Sequence, residues 1–221
     1  MIDQVFMDRR HAGQVLAKVL SVYADRPDVL IVALPRGGVP VGFEVADALH
    51  APLDVFIVRK LGVPGHVEYA MGAIASGGVR VLNENVARRL GIPEAAIEAV
   101  TKSEQQELAR RERLYRGTRP PLDVRGRTVL VVDDGLATGS TMLAAVRALR
   151  LRQPGRLAVA VPVAAAEICE ELRNEADDVL CARTPAPFGA VSQWYEDFSQ
   201  TTDEEVRGLL DRASRYPAFE A

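Results

Sequence analysis

Two adjacent carboxylates, Asp133 and Asp134, stand between an unbroken run of β-formers, Val129–Val132, and a short loop of small and hydroxyl-bearing residues, Gly135 to Thr141. Ionised carboxylates accept hydrogen bonds and donate none, so a pair of them at a strand end suits a vicinal diol. The same acids would repel a phosphate laid directly on them. The loop beside them has the opposite character. Its backbone N–H groups and the hydroxyls of Thr138, Ser140 and Thr141 can wrap an anion, and the helix expected over Met142–Arg150 presents its positive end to the same place. A sugar phosphate satisfies both halves at once, with its diol on Asp133 and Asp134 and its phosphate on Ala137, Thr138, Gly139, Ser140 and Thr141. The plainer alternative is a capped strand–turn–helix with surface acids, but strand, acid pair and loop all agree on a ligand.

Two further stretches have residue types suited to anions. Pro35-Arg36-Gly37-Gly38 follows the apolar run Val29–Leu34. Gly37 and Gly38 would let backbone amides approach a ligand closely, and Arg36 adds fixed charge. Arg59 and Lys60 follow a strand expected over Leu53–Val58 and precede the Gly/Pro-rich segment Leu61 to His66. That order suggests a phosphate contact by Lys60 at the hinge of a mobile loop, Gly62 to Ala70.

The elements that must position these groups read as α/β. Runs as apolar as Val29–Leu34 and Val129–Val132 suit strands buried on both faces, as in parallel sheets covered by helices. Ligands then bind beyond the carboxyl ends of the strands. Leu157–Val163 and Val179–Ala182 are further strands, and Met71–Ala75 with Val79–Leu82 around Ser76-Gly77-Gly78 is a hairpin. Helices are expected over Asp8 to Leu20, from Pro40 to about Leu49, over Ala164–Ala176 and over Thr202 to Arg212. Pro93 opens a long charged stretch with a thin apolar stripe (Ile97, Val100, Leu108, Leu114) and five arginines from Arg110 to Arg119. These arginines suit a solvated helix face, a dimer contact or a reach to a neighbour's ligand.

The stretch VLVVDDGLATGST closely resembles the phosphoribosyl diphosphate (PRPP) signature of type I phosphoribosyltransferases. The resemblance implies a mostly parallel sheet flanked by helices, a mobile loop and a C-terminal hood. It covers a core of about residues 29–182 in one domain of residues 1–221, with an inserted hairpin and helical segment at about 71–116 and the hood at about 184–198. It also implies that the 5-phosphoribosyl group passes from PRPP to a small nitrogenous base, releasing diphosphate, with Mg²⁺ touching the protein mainly through PRPP and water. Pro35-Arg36-Gly37-Gly38 resembles the family's diphosphate loop, which often holds a non-proline cis peptide, here Pro35–Arg36. RKLGVPG with Glu68-Tyr69 beyond it is similar to adenine phosphoribosyltransferases, which gives Glu68 a catalytic role at a base nitrogen. Ala137 stands where hypoxanthine–guanine enzymes usually carry an acid, so an adenine-like purine is favoured. Trp194 and Tyr195 would supply the stacking face for the base. A PRPP-sensing regulator that retains the fold without turnover is the alternative from another functional class.

Composition narrows the class. At 221 residues, 48% hydrophobic and 26% charged, the chain is an ordinary globular domain with room for a substantial core. A net charge of −3 argues against a general nucleic-acid binder. The first residues, MIDQVFMDRR, lack the apolar stretch of a secretory signal, and no run suits a membrane span, so a cytoplasmic protein is expected; a homodimer is expected beside it. Cys169 and Cys181 have no metal-ligand spacing and read as packing thiols.

Overall fold

Strands whose every residue is apolar should lie between two helical layers, and they do. The computed structural model describes residues 5–214, apart from the side chains of residues 67, 68 and 84. Its strands are β1 (Val29–Ala33), β2 (Leu53–Val55), β3 (Val58–Val63), β4 (His66–Ala75), β5 (Val79–Leu82), β6 (Thr128–Val132), β7 (Arg156–Val163) and β8 (Asp178–Arg183). Its helices are α1 (Arg9–Val19), α2 (Gly38–Leu49), α3 (Glu84–Arg89), α4 (Glu94–Arg116), α5 (Ser140–Arg150), α6 (Ala166–Leu172) and α7 (Asp203–Ala213).

Five strands form a parallel sheet in the order β2-β1-β6-β7-β8, and β3-β4-β5 form a separate antiparallel sheet. Alternation along the central strands divides the core in two. Val29, Ile31 and Ala33 of β1 with Leu130 and Val132 of β6 face α1, α2, α4 and α7, where Leu16, Val45, Leu108 and Leu210 are buried. Leu30 and Val32 with Val129 and Val131 face α5 and α6, against Met142, Val146, Leu149 and Leu172. Both faces are dry, so each residue of these strands contributes burial, at about 25 cal/mol per Å² of apolar surface.

The structure departs from expectation in three places. The single strand expected over Leu53–Val58 is two strands in two sheets. After β2 the chain leaves the parallel sheet through buried Phe56 and Ile57, whose N–H groups donate to the Ala33 carbonyl (3.0 Å) and the Ser76 hydroxyl (3.0 Å). Arg59 and Lys60 therefore lie inside β3, and residues 62–70 belong largely to the β3–β4 hairpin, whose register shifts at Leu61/Gly62 and Gly62/Val63. Second, the charged stretch after Asn83 holds the short α3 before α4. Third, Cys169 on α6 and Cys181 on β8 are joined in a disulfide, which corrects their reading as separate packing thiols.

Candidate active site

Adjacent parallel strands in register deliver their carboxyl ends to one place. β1 and β6 pair from Val29↔Thr128 to Ala33↔Val132, and the Leu34 N–H donates to the Val132 carbonyl at 2.9 Å. The Pro35–Gly38 turn and the Asp133-Asp134 pair thus emerge side by side, with the Pro35–Arg36 peptide cis as the family resemblance implies. The glycines are required by the acids themselves. A Cβ on Gly37 would lie 2.0 Å from Asp134 Oδ2, and one on Gly38 would lie 2.7 Å from the Val132 carbonyl oxygen and 2.9 Å from Asp133 Cα. The glycine turn and the acid pair are packed as one unit.

Asp133 turns one carboxylate oxygen back to accept from the Asp134 N–H at 2.9 Å. Burial pushes the Asp133 carboxyl well above the usual carboxylate range, and the neighbouring charge of Asp134 acts in the same direction. Burial also raises Asp134, opposed by the Arg9 guanidinium beside it.

Sequence reading did not find Arg9. It rises from the first turn of α1, and its Nε donates to Asp134 Oδ2 at 2.8 Å, with the two side chains only 12% and 15% exposed. Its Nη1 donates to the Ser199 carbonyl at 2.6 Å, and the guanidinium lies 4.0 Å from the centre of the Phe198 ring. Tyr195 completes the bracket by donating its hydroxyl to the Asp134 carbonyl. The hood is therefore tied to the acid pair through Arg9 and Tyr195. The only available signal was a pair of arginines opening an amphipathic helix, and that pattern names no partner.

The loop after the acid pair has its own backbone demands. Gly139 takes φ 64°, and a Cβ there would also meet Ile168 Cγ2 at 2.5 Å, so glycine is needed for both backbone and space. It leads into α5 with no side-chain cap, so first-turn N–H groups point into the loop. Ala137 and Thr138 are exposed, Ser140 and Thr141 half-buried, and the Thr138 and Ser140 hydroxyl oxygens lie 3.2 Å apart. Lys60 on β3 reaches the same region, because it lines with Ser140 a cleft of about 590 Å³ between α5 and the antiparallel sheet.

Other expected site residues stand differently. Arg36 Nη1 lies 3.6 Å from Asp203 Oδ1 at the start of α7, and the same oxygen accepts from the Tyr115 hydroxyl at 2.6 Å. Arg59 is committed to Glu104 on α4 at 2.7 Å. Tyr195, expected as a stacking face, is only 6% exposed and packs in a cluster with Phe6, Phe198 and Val163. That leaves Trp194, half-buried, its indole N–H donating to the Phe188 carbonyl at 3.0 Å and its ring stacked on Phe188. The Glu68 side chain lies outside the described residues, and its backbone is in β4.

The phosphoribosyl transferase domain family matches residues 70–195, more than half of the chain, including Asp133, Asp134 and the loop to Thr141. The chain belongs to the phosphoribosyl transferase family. It is 46% identical over 212 residues, 96% of its length, to Mycobacterium tuberculosis proteins from two strains, each named "Putative phosphoribosyl transferase", and spans about half (48%) of their length. It is also similar to the crystal structure of TT1426 from Thermus thermophilus, at 40% identity and a TM-score of 0.83 over 94% of this chain and 98% of that one. The type I fold of this family, a mostly parallel sheet flanked by helices, is the fold described above. Among the described residues no helix is long and apolar enough to cross a membrane.

Proposed function

We propose that this chain is a Mg²⁺-dependent phosphoribosyltransferase that moves the 5-phosphoribosyl group from PRPP to a nitrogenous base, a purine in preference to a pyrimidine, and releases diphosphate. One observation carries this reading: the acid pair, the glycine turn packed against it and the uncapped N-terminus of α5 converge at the carboxyl ends of adjacent strands. Asp133 and Asp134 hold the ribose hydroxyls, and their negative charge favours the positive charge that develops on the ring as the anomeric bond lengthens. The loop from Ala137 to Thr141 holds the 5′-phosphate. The Gly37 and Gly38 amides with Arg36 take the diphosphate, and Lys60 adds charge from the β3 side.

Among the described residues no three His, Cys, Asp or Glu side chains gather to enclose a metal ion. The donor set fits Mg²⁺ that arrives on PRPP with most of its ligands already substrate oxygens and water, as suits an ion that dehydrates reluctantly. Bound in that way it would supply positive charge to the departing diphosphate.

For the acceptor, Ala137 leaves the loop without the acid that the hypoxanthine–guanine pattern carries, and Trp194 is the aromatic left to stack on a base, a contact tolerant of base identity. A panel of nucleobases with Mg-PRPP, read as diphosphate release, tests the proposal. Turnover of adenine that falls in Glu68→Gln supports it. Turnover of a pyrimidine alone overturns the purine preference. Tight Mg-PRPP binding with no turnover on any base overturns the transferase reading in favour of a PRPP-sensing regulator.

A further inference from the structure

A second cavity, of about 310 Å³, opens where the C-terminal turn of α4, the β4–β5 turn and the segment after α5 meet. None of its lining residues belongs to the candidate active site. Arg152 follows the C-terminus of α5, whereas the phosphate loop precedes its N-terminus, and eleven residues of helix span about 16 Å.

Four arginines and one acid line this cavity: Arg113, Arg116, Arg119 and Arg152, with Glu112. Two of the arginines are already committed. Arg116 grips Asp54 with two hydrogen bonds of 3.0 and 2.8 Å. Arg119 donates to the Leu210 carbonyl at 2.9 Å and lies 3.5 Å from Asp211. Arg113 is exposed and, among the described residues, paired with no carboxylate. Arg152 is more telling. Its Nη1 is buried with no hydrogen-bond partner, and its Nη2 is so close to the β4–β5 turn that a Cβ on Gly77 would lie 2.9 Å away. Cations are favoured near helix C-termini, which accounts for Arg113 and Arg116 in the last turn of α4. It does not account for a buried guanidinium N–H without an acceptor, which is costly unless something supplies one.

Ser76 points to the same occupant. It is 3% exposed, lines the cavity, and its oxygen accepts from the Ile57 N–H at 3.0 Å, which leaves the hydroxyl proton to donate. Two guanidinium groups and a hydroxyl lining one cavity offer donors that match the oxygens of a phosphate group. The cavity is too large for one phosphate alone and lies at the small end of the range for ligand sites. We infer that it binds the phosphate group of a small organic phosphate, seated on Arg152, Arg113 and Ser76, at a site separate from the acid pair.

Calorimetric titration of the full chain with adenosine monophosphate and with inorganic phosphate tests this site, using wild type, Arg152→Gln, Arg113→Gln and Thr138→Ala. Product binding at the loop from Ala137 to Thr141 is weakened by Thr138→Ala, and the expected result is a second nucleotide-binding event weakened at least tenfold by Arg152→Gln and by Arg113→Gln and unchanged by Thr138→Ala. Inorganic phosphate should bind at least tenfold more weakly than the nucleotide. Arg113 is exposed, so its variant reports even where Arg152→Gln fails to fold. Absence at millimolar ligand of any event that survives Thr138→Ala, or a surviving event indifferent to Arg113→Gln, overturns the site. Inorganic phosphate binding as tightly as the nucleotide overturns the organic-phosphate assignment. An RNA oligonucleotide binding more tightly than either with the same arginine dependence overturns the small-ligand assignment.

Discussion

Replacing Arg9 with methionine isolates what holds the acid pair in place. Methionine keeps much of the apolar stem but removes the guanidinium over Phe198, the charge opposite Asp134 and the donor to the Ser199 carbonyl. Both side chains are largely buried, at 12% and 15% exposure, so Asp134 would be left as an uncompensated carboxylate. Breaking a buried pair from one side costs about 3–5 kcal/mol. The low end suits this pair, because Asp134 can take up a proton instead of remaining charged. A loss of about 3 kcal/mol lowers the melting temperature by about 6–12 °C in a domain of this size.

The loss should also depend on pH with a definite sign. Burial already raises Asp134, and removing Arg9 raises it further. In the variant the folded state therefore binds more protons than the unfolded state, between the ordinary carboxylate range and the new folded value. Its stability falls as pH rises through that window, so the gap from wild type is widest near neutrality and narrows on acidification. Urea denaturation from pH 5 to 8 measures this directly. Arg9→Met with Asp134→Asn should recover most of the single-variant loss, because no charge is then stranded. A loss below about 1 kcal/mol at pH 7, or a double variant no more stable than Arg9→Met, would refute the assignment of Arg9 as the partner that neutralises Asp134.

Asp133→Asn with Asp134→Asn keeps the shape of the site and should abolish calorimetrically detected Mg-PRPP binding; wild type that itself fails to bind at millimolar ligand would sink the PRPP reading. Gly37→Ala places a methyl on Asp134 Oδ2 and should cost more than about 2 kcal/mol in denaturation while weakening PRPP binding, since the acid must move. Tyr115→Phe removes the donor to Asp203 and should cost about 1 kcal/mol, with loss of a tyrosine ionisation that burial and Asp203 push up to about 12 in wild type, read by ultraviolet titration. Hydrogen exchange over residues 62–70, where the β3–β4 register is irregular and Gly65 takes φ 81°, should slow when Mg-PRPP and base are bound; equal protection in both states would count against loop closure.

The central strands were legible because burial on both faces demands unbroken apolar runs, and Val29–Ala33 and Val129–Val132 show them without tertiary context. The strand–turn–helix frames around the acid pair and the glycine turn were legible for the same local reason, since each is set by neighbours in the chain. The glycines were read as room for a ligand, and only the fold shows that Asp134 itself fills the space over Gly37. The break between β2 and β3 was hidden because Phe56 and Ile57 are as apolar as a strand interior, and which sheet a strand joins is decided by partners far along the chain. Helical periodicity places Arg9 on a face, whereas its partner, 125 residues away, is chosen by packing α1 beside the strand ends. Tyr195 and Trp194 are adjacent, and sequence treats them alike. The hood turns one toward the core and leaves the other half-buried, because a short irregular segment takes its side-chain directions from the surface it covers.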